Sequence, residues 1–129
     1  MMMVMERDGR RVLVLEDDER VRGALCDYLE ELGYVPEPAA NGAEAMACFR
    51  KESFRLVVAD YKMPGVSGLE VVKEMRTMNP ALPVLMVSGY VTEFAWEART
   101  LGIPVVRKPV EFGVFARVVE AIAEPPAVG

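Results

Sequence analysis

The sequence predicts an α/β domain in which helices cover both faces of a parallel sheet. Short apolar runs rich in Val, Leu and Ile alternate five times with segments in which apolar residues recur at helical spacing. The runs are almost continuously apolar, which is typical of strands buried on both faces. This alternation predicts βαβ units with right-handed crossovers and a single doubly wound sheet.

Five strands are predicted, each from an apolar run bounded by polar or turn residues. They cover residues 11–15, 34–38, 56–59, 83–87 and 103–107. Between them, apolar residues recur every three or four positions, as expected for helices that bury one face. We therefore expect one folded domain over residues 11–123, with loosely ordered segments at 1–10 and 124–129.

Local signals mark where the helices begin and end. Asn41 precedes the second predicted helix, and Ser67 precedes the third with Glu70 three residues later, the pattern of a capping box. Thr92 is placed to cap the fourth helix. Gly33 follows the first helical pattern and is placed to end that helix.

The second predicted strand contains Pro36 and Pro38. Proline has no N–H to donate to a neighbouring strand, so this strand is expected at an edge of the sheet. An edge position suits the strand order 2-1-3-4-5 of flavodoxin-like (βα)5 folds. The predicted fold class is therefore a flavodoxin-like doubly wound sheet in that order.

The composition excludes several classes of function. The chain has 129 residues, of which 52% are hydrophobic, and a net charge of −5. Basic runs are too short for a nucleic-acid surface, and no apolar stretch could span a membrane, so we expect a cytoplasmic protein that binds neither. Cys26 and Cys48 lie in helical patterns and are expected to act as small apolar side chains, since two cysteines without histidine suit no zinc site.

Charged and hydroxyl side chains follow four of the five predicted strands. They are Glu16, Asp17 and Asp18 after the first strand, Asp60 after the third, Ser88 after the fourth and Lys108 after the fifth. In an open parallel sheet, functional residues collect beyond the carboxyl ends of the strands. We therefore expect these side chains to meet in one crevice.

A magnesium ion would resolve the repulsion between clustered carboxylates. Ionising several neighbouring acids together is costly, and Mg²⁺ prefers oxygen ligands with one or two carboxylates. Asp17 and Asp60 suit direct ligation. Lys108 can pair with Asp60 or with phosphoryl oxygens, and Ser88 offers a hydroxyl to the same oxygens. Taken singly, each residue also fits an ordinary cap, turn or surface position.

The combination resembles the receiver domain of two-component response regulators. The residues that carry the resemblance are Val12 to Asp18 (VLVLEDD), Val58 to Gly68 (VADYKMPGVSG), Val87 to Gly89 (VSG) and Arg107 to Pro109 (RKP). The match extends from about Arg11 to Ile122. It implies a phosphoryl-accepting signalling module that turns over no substrate, apart from self-phosphorylation and slow self-dephosphorylation.

The resemblance also implies a role for each site residue. Asp60 matches the phosphoryl acceptor, Ser88 and Lys108 match the residues that contact the phosphoryl group, and the Lys108–Pro109 peptide bond is expected to be cis. The implied Mg²⁺ ligands are Glu16 (through water), Asp17, Asp60 and the backbone carbonyl of Lys62. Asp18 is left as a surface residue.

The implied partner is a sensor histidine kinase or a histidine phosphotransfer protein. The chain contains no histidine, so the phosphohistidine donor must come from outside these residues. The downstream target is not indicated, and a homodimer formed on phosphorylation stays open. Some motifs are more similar to receivers attached to hybrid sensor kinases.

The sequence departs from the receiver pattern near the fifth strand. Val105 occupies a position where receivers often carry Tyr or Phe, and Val110 replaces an aromatic residue after the Lys-Pro pair. The usual coupling of a hydroxyl to an aromatic side chain is therefore not expected at this position. Lys62 and Tyr90 lie near the acceptor, and one of them is expected to shield the phosphoryl group from water.

Three alternatives remain open at this point. A haloacid-dehalogenase-type phosphatase would need an acid two residues after Asp60, where the chain has Lys62. A degenerate receiver that only binds proteins would not need the full set of site residues. A flavin or dinucleotide binder would need a glycine-rich loop after the first strand, where the chain has acids.

Overall fold

Five parallel strands form one sheet in the order β2-β1-β3-β4-β5 in a computed structural model, which describes residues 9–89 and 95–123. The strands are β1 (Arg11–Leu15), β2 (Val35–Ala39), β3 (Leu56–Asp60), β4 (Val84–Ser88) and β5 (Val105–Arg107). The helices are α1 (Glu19–Glu31), α2 (Gly42–Lys51), α3 (Gly68–Met78), α4 (Ala95–Thr100) and α5 (Phe112–Ala123). The predicted fold class and strand order are confirmed.

The position of β2 follows from its prolines. Pro36 is aligned with Val12 and Pro38 with Val14 of β1, and β2 forms an edge of the sheet. The Val35 N–H donates to the Arg10 carbonyl over 2.9 Å. The N–H groups that β2 directs toward β1 therefore belong to residues other than proline. The edge assignment made from the sequence is confirmed.

Alternate residues of the central strands enter two separate apolar layers. Leu13 and Leu15 of β1 belong to the layer that includes residues of α2, α3 and α4. Val12 and Val14 belong to the opposite layer, with residues of α1 and α5 around Phe115. Both faces are covered, which explains why the strand sequences are apolar throughout.

The ends of several elements differ slightly from the predictions. β2 is shifted by one residue, because Tyr34 is buried ahead of the strand and pairing begins at Val35. β5 begins at Val105 instead of residue 103. α4 ends at Thr100, and Leu101 beyond it is exposed instead of continuing the helix. Thr92, the predicted cap of α4, lies outside the described residues.

The other local signals act as predicted. Asn41 caps α2 by accepting from the Glu44 N–H, and Ser67 caps α3 by accepting from the Glu70 N–H. Gly33 follows α1 with a φ of +92°, a left-handed conformation that glycine adopts without strain. Among residues 9–89 and 95–123, no helix combines the length and apolarity needed to cross a membrane.

Candidate functional site

Three carboxylates meet at the carboxyl end of the sheet. Glu16 and Asp17 follow β1, and Asp60 is the last residue of β3, on the strand next to β1. One oxygen from each side chain can be chosen so that all three lie within 4.8 Å of one another. Glu16 is fully buried and Asp60 is 4% exposed, whereas Asp17 is exposed. The three acids predicted to meet at this edge of the sheet therefore lie together.

Lys108 brings a positive charge to the two buried acids. Its Nζ lies 2.9 Å from Oε1 of Glu16 and 3.2 Å from Oδ1 of Asp60. At these distances Lys108 forms an ion pair with each of the two acids. The backbone N–H of Lys108 donates to the Ser88 carbonyl over 2.8 Å, and the Lys108–Pro109 bond is cis as predicted.

Ser88 lies beside the acids because of strand register. Asp60 is aligned with Val87 of β4, and Ser88 is the next residue along the strand. Ser88 is fully buried, and its backbone is aligned with Arg107, the residue before Lys108. Register alone therefore brings the ends of β3, β4 and β5 together.

Of the two residues predicted to shield a phosphoryl group, only Lys62 lies among the described residues. Lys62 follows β3 and is exposed, two residues beyond Asp60. Tyr90, the second candidate for shielding a phosphoryl group, lies outside the described residues. Val105, the position without an aromatic residue, is partly buried against the apolar layer on the α3 and α4 side of the sheet.

The pKa values of Glu16, Asp60 and Lys108 are all raised from their ordinary values. Burial and the neighbouring Asp60 charge raise the pKa of Glu16 to about 7, against the opposing effects of Lys108 and the Asp18 N–H. Burial also raises the pKa of Asp60, with Lys108 opposing the shift. The pKa of Lys108 is raised, because its contacts with Glu16 and Asp60 outweigh the effect of burial. Burial therefore disfavours the ionised forms of both acids, and the lysine charge compensates only in part.

These residues fit a hard divalent cation. Glu16 Oε1 is buried, and its partner among the described residues is the Lys108 ammonium, 2.9 Å away. One ammonium faces three carboxylates, so a divalent cation beside them would reduce the repulsion that Lys108 leaves uncompensated. Oxygen ligands of this kind are the ones that Mg²⁺ prefers. The donor set therefore agrees with the magnesium prediction.

The loop between β1 and α1 is ordered by contacts that the sequence analysis missed. Asp18, predicted only as a surface residue, is exposed but also caps α1 by accepting from the N–H groups of Arg20 and Val21. The Arg22 guanidinium donates to the carbonyls of Glu16 and Asp17. The sequence signal for Asp18 was available, since an aspartate directly before a helical pattern is a common N-cap.

Gly68 is a second residue whose importance the sequence analysis missed. A Cβ on this residue would lie 1.9 Å from the Asp60 carbonyl oxygen, closer than any real contact. The Gly68 N–H donates to the Tyr61 carbonyl over 2.9 Å. The first turn of α3 therefore packs directly on the backbone of Asp60, and only glycine allows that approach.

Comparison with known proteins identifies the family. A family model described as the response regulator receiver domain matches residues 12–120. The chain belongs to this family. The receiver is 34% identical over 110 residues to the transcriptional regulatory protein ZraR of Escherichia coli K12, covering 84% of this chain and 25% of ZraR. It thus spans about a quarter of the length of this curated relative.

Solved structures agree with the assignment. The receiver domain protein (CheY-like) of Methanospirillum hungatei is 27% identical, with a TM-score of 0.80 over 87% of this chain and 91% of that one. The response regulator TrrA of Thermotoga maritima, crystallised with Mg²⁺ and BeF, is 30% identical, with a TM-score of 0.79 over 87% of this receiver and 97% of TrrA.

The cysteines do not contribute to the site. Cys26 and Cys48 are free and partly buried, in α1 and α2. Burial raises the pKa of both thiols, which disfavours the reactive thiolate. Both pack against the apolar layers of the domain, as predicted from the sequence.

Proposed function

We propose that the receiver takes a phosphoryl group onto Asp60 from a phosphohistidine of a sensor histidine kinase or phosphotransfer protein. The observation that supports this most is a buried aspartate at a strand end, paired with Lys108 and adjacent to two further acids. The chain has no histidine, so the donor must be supplied from outside these 129 residues.

The reaction is a transfer between two nucleophiles. A carboxylate oxygen of Asp60 forms a bond to phosphorus, and the bond between phosphorus and the donor imidazole nitrogen breaks. The nitrogen keeps the bonding electron pair, and the imidazole leaves as a neutral or protonated base. Such transfers need little covalent chemistry from the protein beyond positioning and charge neutralisation.

The charges at the site suit that requirement. Mg²⁺, held by Asp17, Asp60, the Lys62 carbonyl and, through water, Glu16, would neutralise phosphoryl oxygens and the carboxylates together. Lys108 already lies 3.2 Å from Asp60 Oδ1, so it can pair with a phosphoryl oxygen once that carboxylate has become an acyl phosphate. Ser88 would donate its hydroxyl to another oxygen of the same group.

The acceptor is tested by intact mass after incubation with a small acyl phosphate and Mg²⁺. The native chain should gain one phosphoryl unit, and Asp60→Ala should gain none. Asp27→Ala is a matched control, because Asp27 is an exposed acid on α1, and it should gain the phosphoryl unit normally. Absence of uptake in a folded native chain would move the interpretation to a protein-binding module without phosphoryl transfer.

Shielding of the phosphoryl group is tested separately. Lys62 is exposed close to the acceptor and carries a cation on a long side chain. We expect Lys62→Ala or Tyr90→Ala to change the half-life of the phosphorylated chain, followed as the decay of the added mass. Half-lives equal to the native value in both variants would contradict this expectation.

A further inference from the structure

Arg22 connects the start of α1 to the loop that carries two of the acids. Its Nη1 donates to the Glu16 carbonyl over 2.8 Å and to the Asp17 carbonyl over 3.3 Å. One guanidinium nitrogen thus bridges two successive peptide units. Arg22 is also tied to the loop through its backbone N–H, which donates to the Asp18 carbonyl over 2.8 Å.

Other contacts hold the same loop, but they restrain different groups. The Glu16 N–H donates to the Ala39 carbonyl over 3.1 Å, and the Asp18 N–H donates to Oε2 of Glu16 over 3.1 Å. The carbonyls of Glu16 and Asp17 are the two that Arg22 fixes. Those peptide units set the directions from which both acidic side chains project.

The loop needs restraint because its side chains repel. Glu16, Asp17 and Asp60 offer oxygens within 4.8 Å of one another, so an unrestrained loop would relax by moving its two acids away from Asp60. A guanidinium is well suited to hold backbone carbonyls, because it is always charged and presents its donors in a rigid plane.

We propose that Arg22 is a positioning residue, which holds the Glu16 and Asp17 backbone so that their carboxylates stay in a metal-binding arrangement with Asp60. The inference rests on the proposed function for its consequence in phosphoryl transfer, whereas its effect on the loop is independent of that function. Arg22 contacts the backbone carbonyls of the two acids, so it acts through them and is not itself a ligand.

The variants are Arg22→Ala, Arg22→Lys and the control Arg20→Ala. Arg20 carries the same charge on the same helix, and its contact with Asp18 uses only the backbone N–H, which alanine keeps. Arg22→Lys keeps the charge but replaces the planar guanidinium with a compact ammonium. If Arg22→Ala does not fold, Arg22→Lys still tests whether the guanidinium is needed.

Magnesium binding by calorimetry is the first readout. Loss of a residue that orients metal ligands typically weakens affinity 10- to 100-fold, so we expect Arg22→Ala to raise the Kd about 10-fold. Arg22→Lys should fall between Arg22→Ala and the native chain, and Arg20→Ala should match the native chain. Phosphoryl uptake in Arg22→Ala should recover at saturating Mg²⁺, because Asp60, Ser88 and Lys108 are unchanged.

Amide hydrogen exchange in the metal-free protein is the second readout. The Asp18 N–H reports on the loop through its bond to Glu16, and its exchange should accelerate in Arg22→Ala but not in Arg20→Ala. This measurement needs neither metal nor phosphoryl donor. It therefore separates the positioning role from the proposed function.

The outcomes are distinct. Unchanged exchange and an unchanged Kd in folded Arg22→Ala would overturn the proposal, and so would an equal weakening in Arg20→Ala, which would indicate a general charge effect. Faster exchange in Arg22→Ala with no Mg²⁺ binding by the native chain would uphold the positioning role and refute the metal site. Faster exchange with weaker binding supports both.

Discussion

The two ends of the sheet treat charge in opposite ways. At the amino end, Arg11 pairs with Glu52 at 2.6 Å and with Glu37 at 3.5 Å, and these acids are partly exposed to water. At the carboxyl end, Glu16 and Asp60 are buried and share Lys108. Water screens the first arrangement, whereas burial in the second raises the pKa of both acids, so keeping them ionised costs free energy.

Substitution of Lys108 should have the largest effect on stability, because it removes the positive charge from the buried end of the sheet. In Lys108→Met, two buried carboxylates lose their counter-ion, and removing one partner from a buried ion pair costs about 3 kcal/mol. We expect a free energy of unfolding lower by about that amount in metal-free buffer near pH 8, measured with urea. Saturating Mg²⁺ should recover part of the loss, and an unchanged urea midpoint would contradict the contrast.

Dependence on pH gives the next largest effect. Burial raises the pKa of Glu16 from its ordinary 4.5 to about 7, so between these values the folded chain binds more protons than the unfolded chain. The free energy of unfolding of the metal-free protein should therefore fall as pH rises through this window, by about 3 kcal/mol. Asp60 shifts in the same direction.

The control for this slope is Glu16→Gln, which removes the titrating group at similar size. Its stability should vary less between the two ends of the window, and Mg²⁺ should flatten the slope of the native chain because it favours the ionised acids. If the free energy of unfolding of the native chain instead rises steadily with pH across the window, the raised pKa of the buried acids is contradicted.

A substitution at Gly68 tests whether backbone packing contributes as much as charge. In Gly68→Ala, the new methyl group would overlap the Asp60 carbonyl, so the first turn of α3 or the end of β3 must shift. Overpacking of this kind costs about 2 kcal/mol. Phosphoryl uptake should slow as well, measured by intact mass at saturating Mg²⁺, because the acceptor carboxylate moves.

Gly23→Ala is the matched control for that variant. Gly23 lies within α1, and a Cβ there would meet no atom within 4 Å, so alanine should be neutral or stabilising. Equal stability of Gly68→Ala and the native chain would show that the close packing under Asp60 relaxes freely.

The smallest effect is expected at the amino end. Glu52→Ala removes the acid nearest to Arg11, and exposed ion pairs contribute only about 0.5 kcal/mol. The change in urea midpoint should be close to the error of the measurement and should vanish at high salt. A loss comparable to that of Lys108→Met would remove the distinction between the two ends.

The sequence revealed most of the site because strand ends concentrate function. Glu16, Asp60, Ser88 and Lys108 were each found as the residue that ends or follows an apolar run, and parallel register then brings those runs together. The prolines of β2 predicted its edge position, and the full strand order was taken from the flavodoxin-like fold that this position suits. Periodicity and position were therefore enough for the alternating architecture and for the residues that meet at the carboxyl end of the sheet.

The roles of Arg22 and Gly68 could not be predicted from strand ends or periodicity. Arg22 reaches back to carbonyls five and six residues earlier, and an arginine in a helical pattern carries no signal of that contact. The need for glycine at position 68 depends on the distance between α3 and β3, which only the packed structure defines. Boundaries such as the start of β5 depend likewise on which residues find a partner strand.

The prolines of β2 also make this edge of the sheet a poor template for pairing with another strand. Val35 bonds inward to Arg10, so the alternate positions, Pro36 and Pro38, lie where the backbone would otherwise offer N–H groups to solvent. An unpaired edge is a template for strands of other chains, and proline is one of the residues that blunt it. A second receiver therefore meets no regular row of donors along this edge, even at high concentration.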